Sequence, residues 1–444
     1  MESVLIKAAQ LILSLSLLVI LHEFGHFMFA RLFKTRVEKF YLFFDPWFAL
    51  FKTKKGDTEY GVGWLPLGGY VKISGMIDES MDKEAMKLPP QDYEFRSKKT
   101  WQRLLIMVGG VMMNFIFALI IYIGILYAWG ESYLPTENAK YGIVVDEVGE
   151  QIGLKTGDKI ISVDHKKVEN FNKVIVTVLL DKAKTIQVER DGKQMDVEIS
   201  EDDIALLVKS KGAMDFRVLF DFKAAKFAKN SLAKDAGLLI GDEIVGVDSA
   251  KFVYYDEFQL YLRNHRQQSI LIHVIRNNSP FDIPVTLGES GLIGVQPEGK
   301  IIDDFEFKTI EYGFLESIPA GIKKGFTTIQ DYLKQFKLIF SSKTKGYESL
   351  GGFIAIGNIF PGAWDWHSFW NMTAFLSIIL AVMNLLPIPA LDGGHVTFLL
   401  FEMVTGRKPN EKFLEYAQIV GMVLLLALVL YANGNDIFKL ITGK

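Results

Sequence analysis

The 444-residue chain contains no cysteine. That absence removes disulfides, thiolate zinc fingers and cysteine nucleophiles together, and leaves the redox compartment unreadable. Any metal must then rest on His, Asp and Glu. Charge is scarce too: 23% of residues are charged, the net charge is −3 and there is no long basic run, so no case exists for nucleic acid as a partner. Disorder is excluded by 34 Phe, 16 Tyr and 7 Trp, far more apolar mass than a disordered chain carries. What the chain has in excess is apolar: 50% of residues are hydrophobic, and the mean hydropathy is positive. This composition points to a lipid bilayer. Length permits about three units at ~150 residues each.

The apolar mass is concentrated in four runs. Residues 8–30 carry a single full charge, Glu23, and the runs 104–130, 366–391 and 416–435 carry none. At 1.5 Å per residue the first run reaches roughly 34 Å, enough to cross the hydrocarbon. A cleaved leader is not expected there: only Lys7 precedes it, no small-x-small site follows, and ionisable residues interrupt it. Lys and Arg near the span ends set orientation. Arg31, Lys34, Arg36 and Lys39 follow span one, and Arg96, Lys98, Lys99 and Arg103 precede span two. Arg407, Lys408 and Lys412 lie between spans three and four. Both short loops are therefore expected in the cytoplasm, with both termini and the long central segment outside.

That central segment holds an internal repeat. Gly153–Asp164 (GLKTGDKIISVD) returns as Gly237–Asp248 (GLLIGDEIVGVD), seven of twelve positions identical at an offset of 84 residues. A period of this size means a repeated domain and not a solenoid. Each copy reads as a Gly-Asp turn entering a strand, so two small β-rich modules are expected. Further on, apolar residues from Phe314 through Ile318, Ile322, Phe326, Ile329, Leu333 and Phe336 to Phe340 recur at spacings of three and four, with Lys323, Lys324, Lys334 and Lys337 on other faces. This is an amphipathic helix. Whether it packs on the modules or lies on the membrane is left open.

The chemistry is carried by His22-Glu23-Phe24-Gly25-His26 in the first run. Residues four apart share a helix face, so both imidazoles can reach one metal with Glu23 one step round. By chance the pattern is expected on the order of 0.01 times in such a chain. A mere buried polar cluster is disfavoured, because each charged group at the bilayer centre costs about 2.5–3.5 kcal/mol on insertion scales. Structural zinc returns about 10–16 kcal/mol in model peptides. Zinc needs a third ligand and an open position for water, whose proton Glu23 would take and then deliver to the leaving amine.

The third ligand should stand at matching depth. Spans one and three run in the same direction, and at the inner end of the third stands Asn384-Leu-Leu-Pro-Ile-Pro-Ala-Leu-Asp392-Gly-Gly-His395. Asp392 is the acidic residue there; it also suits a helix N-cap after a proline break. His395, as a fourth ligand, would close the site to water, so a supporting role is expected for it. His165, His265, His273 and His367 lie in the outer modules or at the outer boundary and are read as ordinary surface or core residues.

These motifs, with tandem modules whose Gly-Leu-x-x-Gly-Asp-x-Ile turn resembles that of PDZ domains, resemble the site-2 protease family of intramembrane zinc metalloproteases, in particular its bacterial regulator of sigma-E type. The likeness covers nearly the whole chain. It implies His22, His26 and Asp392 as zinc ligands and Glu23 as catalytic base. It implies cleavage of single-pass membrane proteins, such as anti-sigma factors already trimmed outside, and of remnant signal peptides, in a bacterial inner membrane. It assigns Gly61, Gly63, Gly68 and Gly69 to a membrane-dipping β segment and Asn384, Pro387 and Pro389 to a substrate-contacting loop.

The expected architecture is thus a polytopic α-helical membrane protein with two tandem β-rich PDZ-like domains. Its segments are a first span at 1–30, a cytoplasmic loop with the β segment at 31–102, a second span at 103–130, modules at 131–210 and 211–300, helix and linker at 301–365, and spans at 366–401 and 413–435. The modules would take peptide ligands. Departures from the family pattern are Gly109-Gly110-Val111 where Gly-Pro is common, and Gly351-Gly352-Phe353 for Gly-Gly-Pro. In the second module Met214-Asp215-Phe216-Arg217 replaces a glycine-bearing carboxylate loop, so Tyr141-Gly142-Ile143 in the first is better suited. The rivals are a catalytically silent PDZ-bearing membrane scaffold, favoured by loss of Glu23 or a ligand, and a zinc transporter or metal sensor, favoured by several intramembrane metal pairs.

Overall fold

The computed structural model describes residues 2–66, 68–76, 89–210, 213–298, 305–339, 341, 343–344 and 346–442. Leu67 of the glycine-rich segment, residues 299–304 around the start of the helix-and-linker segment, and Phe340 at the end of the amphipathic stripe lie outside them. The chain divides into two compact units: Met1–Gly130, Glu311–Phe336 and Tyr347–Lys444, and separately Glu131–Ile310 with Lys337–Gly346.

In the first unit, helix α1 spans Glu2–Leu32 and is followed by strands β1 (Val37–Leu42), β2 (Phe44–Lys55), β3 (Thr58–Leu65) and β4 (Tyr70–Ile73). Then come α2 (Thr100–Trp129), α3 (Phe314–Ile339, in this unit up to Phe336), α4 (Phe353–Asn358), α5 (Trp366–Leu385), α6 (Asp392–Thr405) and α7 (Glu411–Thr442). Among the described residues, four helices are long and apolar enough to cross a membrane: Glu2–Leu32, Thr100–Trp129, Trp366–Leu385 and Lys412–Thr442. On α7, Val423, Leu424, Leu426 and Leu430 stand exposed. Helices apolar on all sides satisfy their backbone internally, and their outward side chains suit lipid.

The third apolar run is interrupted. After α5 ends at Leu385, Leu386 is extended at φ −61° and ψ 145°, as expected of a residue before proline. Pro387 and Pro389 have no N–H to continue a helix. Ala390 takes φ +80°, and its N–H is held by Gln418 of α7 at 3.2 Å. Helix resumes at Asp392. Arg103 of α2 ties α6 down through a buried ion pair with Glu402 at 2.5 Å. Helix α2, by contrast, runs unbroken through Gly109-Gly110.

The sheet has the order β2-β3-β1-β4. Strands β1 and β3 are parallel, and β1 and β4 antiparallel. Val37, Tyr41 and Ile73 are buried, while Trp47, Phe48, Leu50 and Phe51 of β2 are exposed, Trp47 to 91%. β4 is an edge strand.

Helix α3 contains the amphipathic stripe, but its buried face is another one. Ser317 is fully buried, and a Cβ on Gly321 or Gly325 would meet Ile123 at 2.6 Å or Leu119 at 2.4 Å. The helix thus lays a row of small residues at i, i+4, i+8 against α2, a close approach that large side chains forbid. Phe314, Phe326 and Leu333 of the stripe stay exposed.

The second unit has two separate cores. One gathers Ile143, Leu154, Ile160, Val163, Val174 and Ile186, and the other Phe222, Ile244, Val247, Phe258, Ile272 and Val285. The turn segments behave alike. Asp158 accepts two bonds of 2.7 Å from Arg190, which also reaches the Gly153 carbonyl at 2.9 Å. Asp242 accepts two of 2.7 Å from Arg276, which reaches the Gly237 carbonyl at 2.9 Å. Gly153 and Gly237, at φ +89° and +100°, take the left-handed conformation that glycine adopts without penalty. The strand after Tyr141-Gly142, Ile143–Val145, is already paired with Met214–Phe216. Its edge is therefore filled by the chain itself.

Candidate metal centre

His22 and His26 lie one turn apart on α1, both buried, with ring centroids 4.9 Å apart and planes at 80°. Their Nε2 atoms are 3.2 Å apart. Asp392, the first residue of α6, brings Oδ2 to 3.1 Å from His22 Nε2 and 3.3 Å from His26 Nε2. Its side chain caps no helix: the N-cap position is Leu391. Oδ2 is buried and aligned with neither ring for a hydrogen bond. Two imidazole nitrogens and a carboxylate oxygen within 4.8 Å of one another form a donor set suited to a borderline-soft dication, and zinc fits it. Among the described residues it is the one group of three or more such side chains close enough to share an ion.

Glu23 stands beside the pair, half-buried, on the lining shared with Val71 of β4. A cavity of about 560 Å³ opens over the site, lined by Val19, Glu23, Tyr70, Asn384, His395 and Gln418 among others. Of the residues assigned to substrate contact, Asn384 lies on this cavity, its amide nitrogen 3.5 Å from His22 Nε2. Gly68 and Gly69 also line it, whereas Gly61, Gly63, Pro387 and Pro389 do not.

Close packing explains those glycines. A Cβ on Gly61 would stand 2.3 Å from the Tyr41 ring, and one on Gly63 2.0 Å from the Phe44 carbonyl oxygen. On Gly69 it would stand 2.7 Å from both Val19 Cγ1 and the Tyr41 carbonyl oxygen. Gly421 of α7 sits against the Pro389 carbonyl, which a Cβ would approach to 1.8 Å. Pro389 is thus a contact of α7.

No pattern in the sequence signals the part played by α2. His26 Nδ1 donates to the Ile106 carbonyl at 2.8 Å. Asn114 lies 3.3 Å from His22 Nδ1. Between them Gly110 leaves room for both rings: a Cβ there would meet His26 Nε2 at 2.5 Å and His22 Cε1 at 2.7 Å. The other histidines have separate settings. His273 pairs with Asp282 at 2.7 Å, His265 stacks on Tyr261, and His367 contacts Asn371.

The chain is similar to known proteins along nearly its whole length. A regulator of sigma E protease from Haemophilus influenzae is 29% identical, over 97% of this chain and 98% of its own length. A regulator of sigma-E protease, RseP, from Escherichia coli is 28% identical over 99% of this chain and all of its own. A Rickettsia conorii relative, 26% identical over 97% of this chain and 98% of its own, is provisionally named a zinc metalloprotease. The sequence profile of peptidase family M50 matches residues 10–428. With nearly its whole length matched, the chain belongs to peptidase family M50, a family of zinc metallopeptidases.

Proposed function

We propose that this zinc metallopeptidase cleaves within transmembrane segments of single-pass membrane proteins, with His22, His26 and Asp392 holding the zinc and Glu23 as base. The observation that carries the reading is the convergence of these three donors from two apolar segments, next to a carboxylate and under one cavity. Zinc held there supplies Lewis-acid polarisation of a peptide carbonyl and makes a water nucleophilic near neutral pH. Glu23 accepts the proton of the attacking water and passes it to the leaving nitrogen.

A substrate helix has its peptide groups hydrogen-bonded internally and must be unwound first. Strand β4 lines the cavity through Tyr70, Val71, Lys72 and Ile73 and is an edge of its sheet. An unwound segment can add to it by main-chain pairing. Asn384 faces the same space, and Gly68 and Gly69 shape it. Gly61, Gly63 and Pro389 act through packing.

The relatives' names concern sigma-E regulation, which favours anti-sigma factors as substrates here, along with remnant signal peptides. Lys and Arg around residues 31–39 and 96–103 favour placing the β sheet in the cytoplasm of a bacterial inner-membrane topology. Both termini and the two modules then face outward. The recurrent Asp–Arg contacts after each Gly-Leu turn support a pair of PDZ-like modules. Peptides meeting the first module must bind elsewhere than the filled edge of Ile143–Val145.

The test is proteomics of small membrane fragments in cells carrying Glu23→Gln beside wild type. Accumulation of single-span fragments with shortened outer parts is the expected result. Identical fragment populations in both strains overturn the reading.

A further inference from the structure

We propose that Asn114 is a positioning residue for the metal centre: its side-chain carbonyl takes the Nδ1 proton of His22 and thereby aims the free Nε2 lone pair toward Asp392 and His26. The proposal rests on the reading of His22 as a ligand.

Asn114 is fully buried in the middle of α2, in a run that is otherwise almost wholly apolar. A carboxamide in that setting is costly unless its polar atoms are partnered. The backbone does not account for it, since the Asn114 carbonyl already accepts from Ser377 at 2.7 Å. The side chain instead reaches His22 Nδ1 at 3.3 Å through its nitrogen, which leaves Oδ1 buried with no partner. In that orientation the amide donates to Nδ1 and the ring proton sits on Nε2. A ring protonated there cannot bind a metal through the atom that faces Asp392 and His26. Turning the carboxamide by half a turn exchanges its two ends. Oδ1 then accepts from Nδ1–H, and Nε2 is freed.

His26 shows the same arrangement completed. Its Nδ1 donates to the Ile106 carbonyl at 2.8 Å, so its Nε2 is the unprotonated nitrogen. Ile106, Gly110 and Asn114 are spaced by four and share one face of α2. That face therefore presents an acceptor for each imidazole, with a gap at Gly110 into which both rings fit. Metal-binding histidines commonly have the second ring nitrogen fixed in this way, and loss of such a partner weakens binding by about 10–100-fold.

The experiment uses the full chain in detergent and measures zinc affinity by chelator competition. The cobalt(II) ligand-field spectrum and the melting of metal-free protein are recorded on the same samples. Asn114→Leu keeps the volume and removes the acceptor; about 10–100-fold weaker zinc binding, an altered cobalt spectrum and an unchanged metal-free melting point are expected. Asn114→Asp keeps the acceptor and is expected to bind zinc as tightly as wild type or tighter. His22→Ala is the control for the ligand reading. If it loses binding while Asn114→Leu binds like wild type, the role of Asn114 is refuted alone. If His22→Ala binds like wild type, the ligand reading fails and this proposal with it. Should Asn114→Leu not fold, a folded Asn114→Asp that binds more than tenfold weaker also overturns the proposal.

Discussion

Gly25 of α1 and Gly109 of α2 meet backbone to backbone. A Cβ on Gly25 would fall 2.1 Å from the Gly109 carbonyl oxygen, and one on Gly109 2.6 Å from the Gly25 carbonyl oxygen. The contact lies inside the His22–His26 turn, so the spacing of the two helices and the position of the imidazoles against Gly110 are set together.

Substitution Gly25→Ala or Gly109→Ala forces the helices apart against backbone, which cannot swing aside. Overpacking of this kind costs about 1–3 kcal/mol. Each variant is expected to melt lower in detergent and to bind zinc more weakly. The double variant should lose less than the sum of the singles, because one displacement relieves both clashes. Melting points equal to wild type would show that the helices are not in contact there.

Glu23→Gln preserves shape and removes the base. Turnover of a transmembrane substrate should fall by about 10²–10⁴-fold, while zinc content by metal analysis stays that of wild type. Turnover within tenfold of wild type would remove Glu23 from the proton transfer.

Asp392→Ala leaves two imidazoles alone, and two neutral ligands hold zinc poorly. Zinc occupancy of the purified variant should drop well below that of wild type. Full occupancy would move the third ligand elsewhere, with His395, one turn along α6 on the same cavity, as the first place to look.

In the second module, burial pushes the Asp242 carboxyl upward, but the Arg276 guanidinium and the Leu239 N–H outweigh it and hold it below the ordinary carboxylate range. A carboxyl lowered in the folded state stabilises fully above its unfolded value of about 3.9. That contribution is lost as the pH falls from there through the folded value. Arg276→Met should therefore lower the module's unfolding midpoint at neutral pH. Unfolding followed from pH 7 downward should show the gap to wild type closing below about pH 4. A gap independent of pH would mean that Arg276 acts through packing alone.

Much of the site was legible because its signals are local. The four-residue spacing of His22 and His26 is a property of any helix, and Asp392 followed from depth, one acidic residue at the inner end of a span running in the same direction. Proline chemistry marked residues 386–391, although the run was read as one segment to 401 where the structure divides it into α5 and α6. The stripe on α3 was read correctly as helical and gave no hint that the flanking row, Ser317, Gly321 and Gly325, would be the buried one. In lipid, large apolar side chains gain little by leaving the solvent, and close approach of backbones decides instead.

The sequence by itself determined that the chain enters a membrane, where its apolar runs lie, and which ionisable groups could bind zinc, because length, hydropathy and helical period are properties of a single segment. Only the tertiary structure decided that Ile106, Gly110 and Asn114 on α2 cradle the two imidazoles. An amide, a glycine and a backbone carbonyl in an apolar run carry no periodic or charge signature. Their meaning arises when α1 and α2 come together at Gly25 and Gly109, closely enough for one helix to orient the rings of the other.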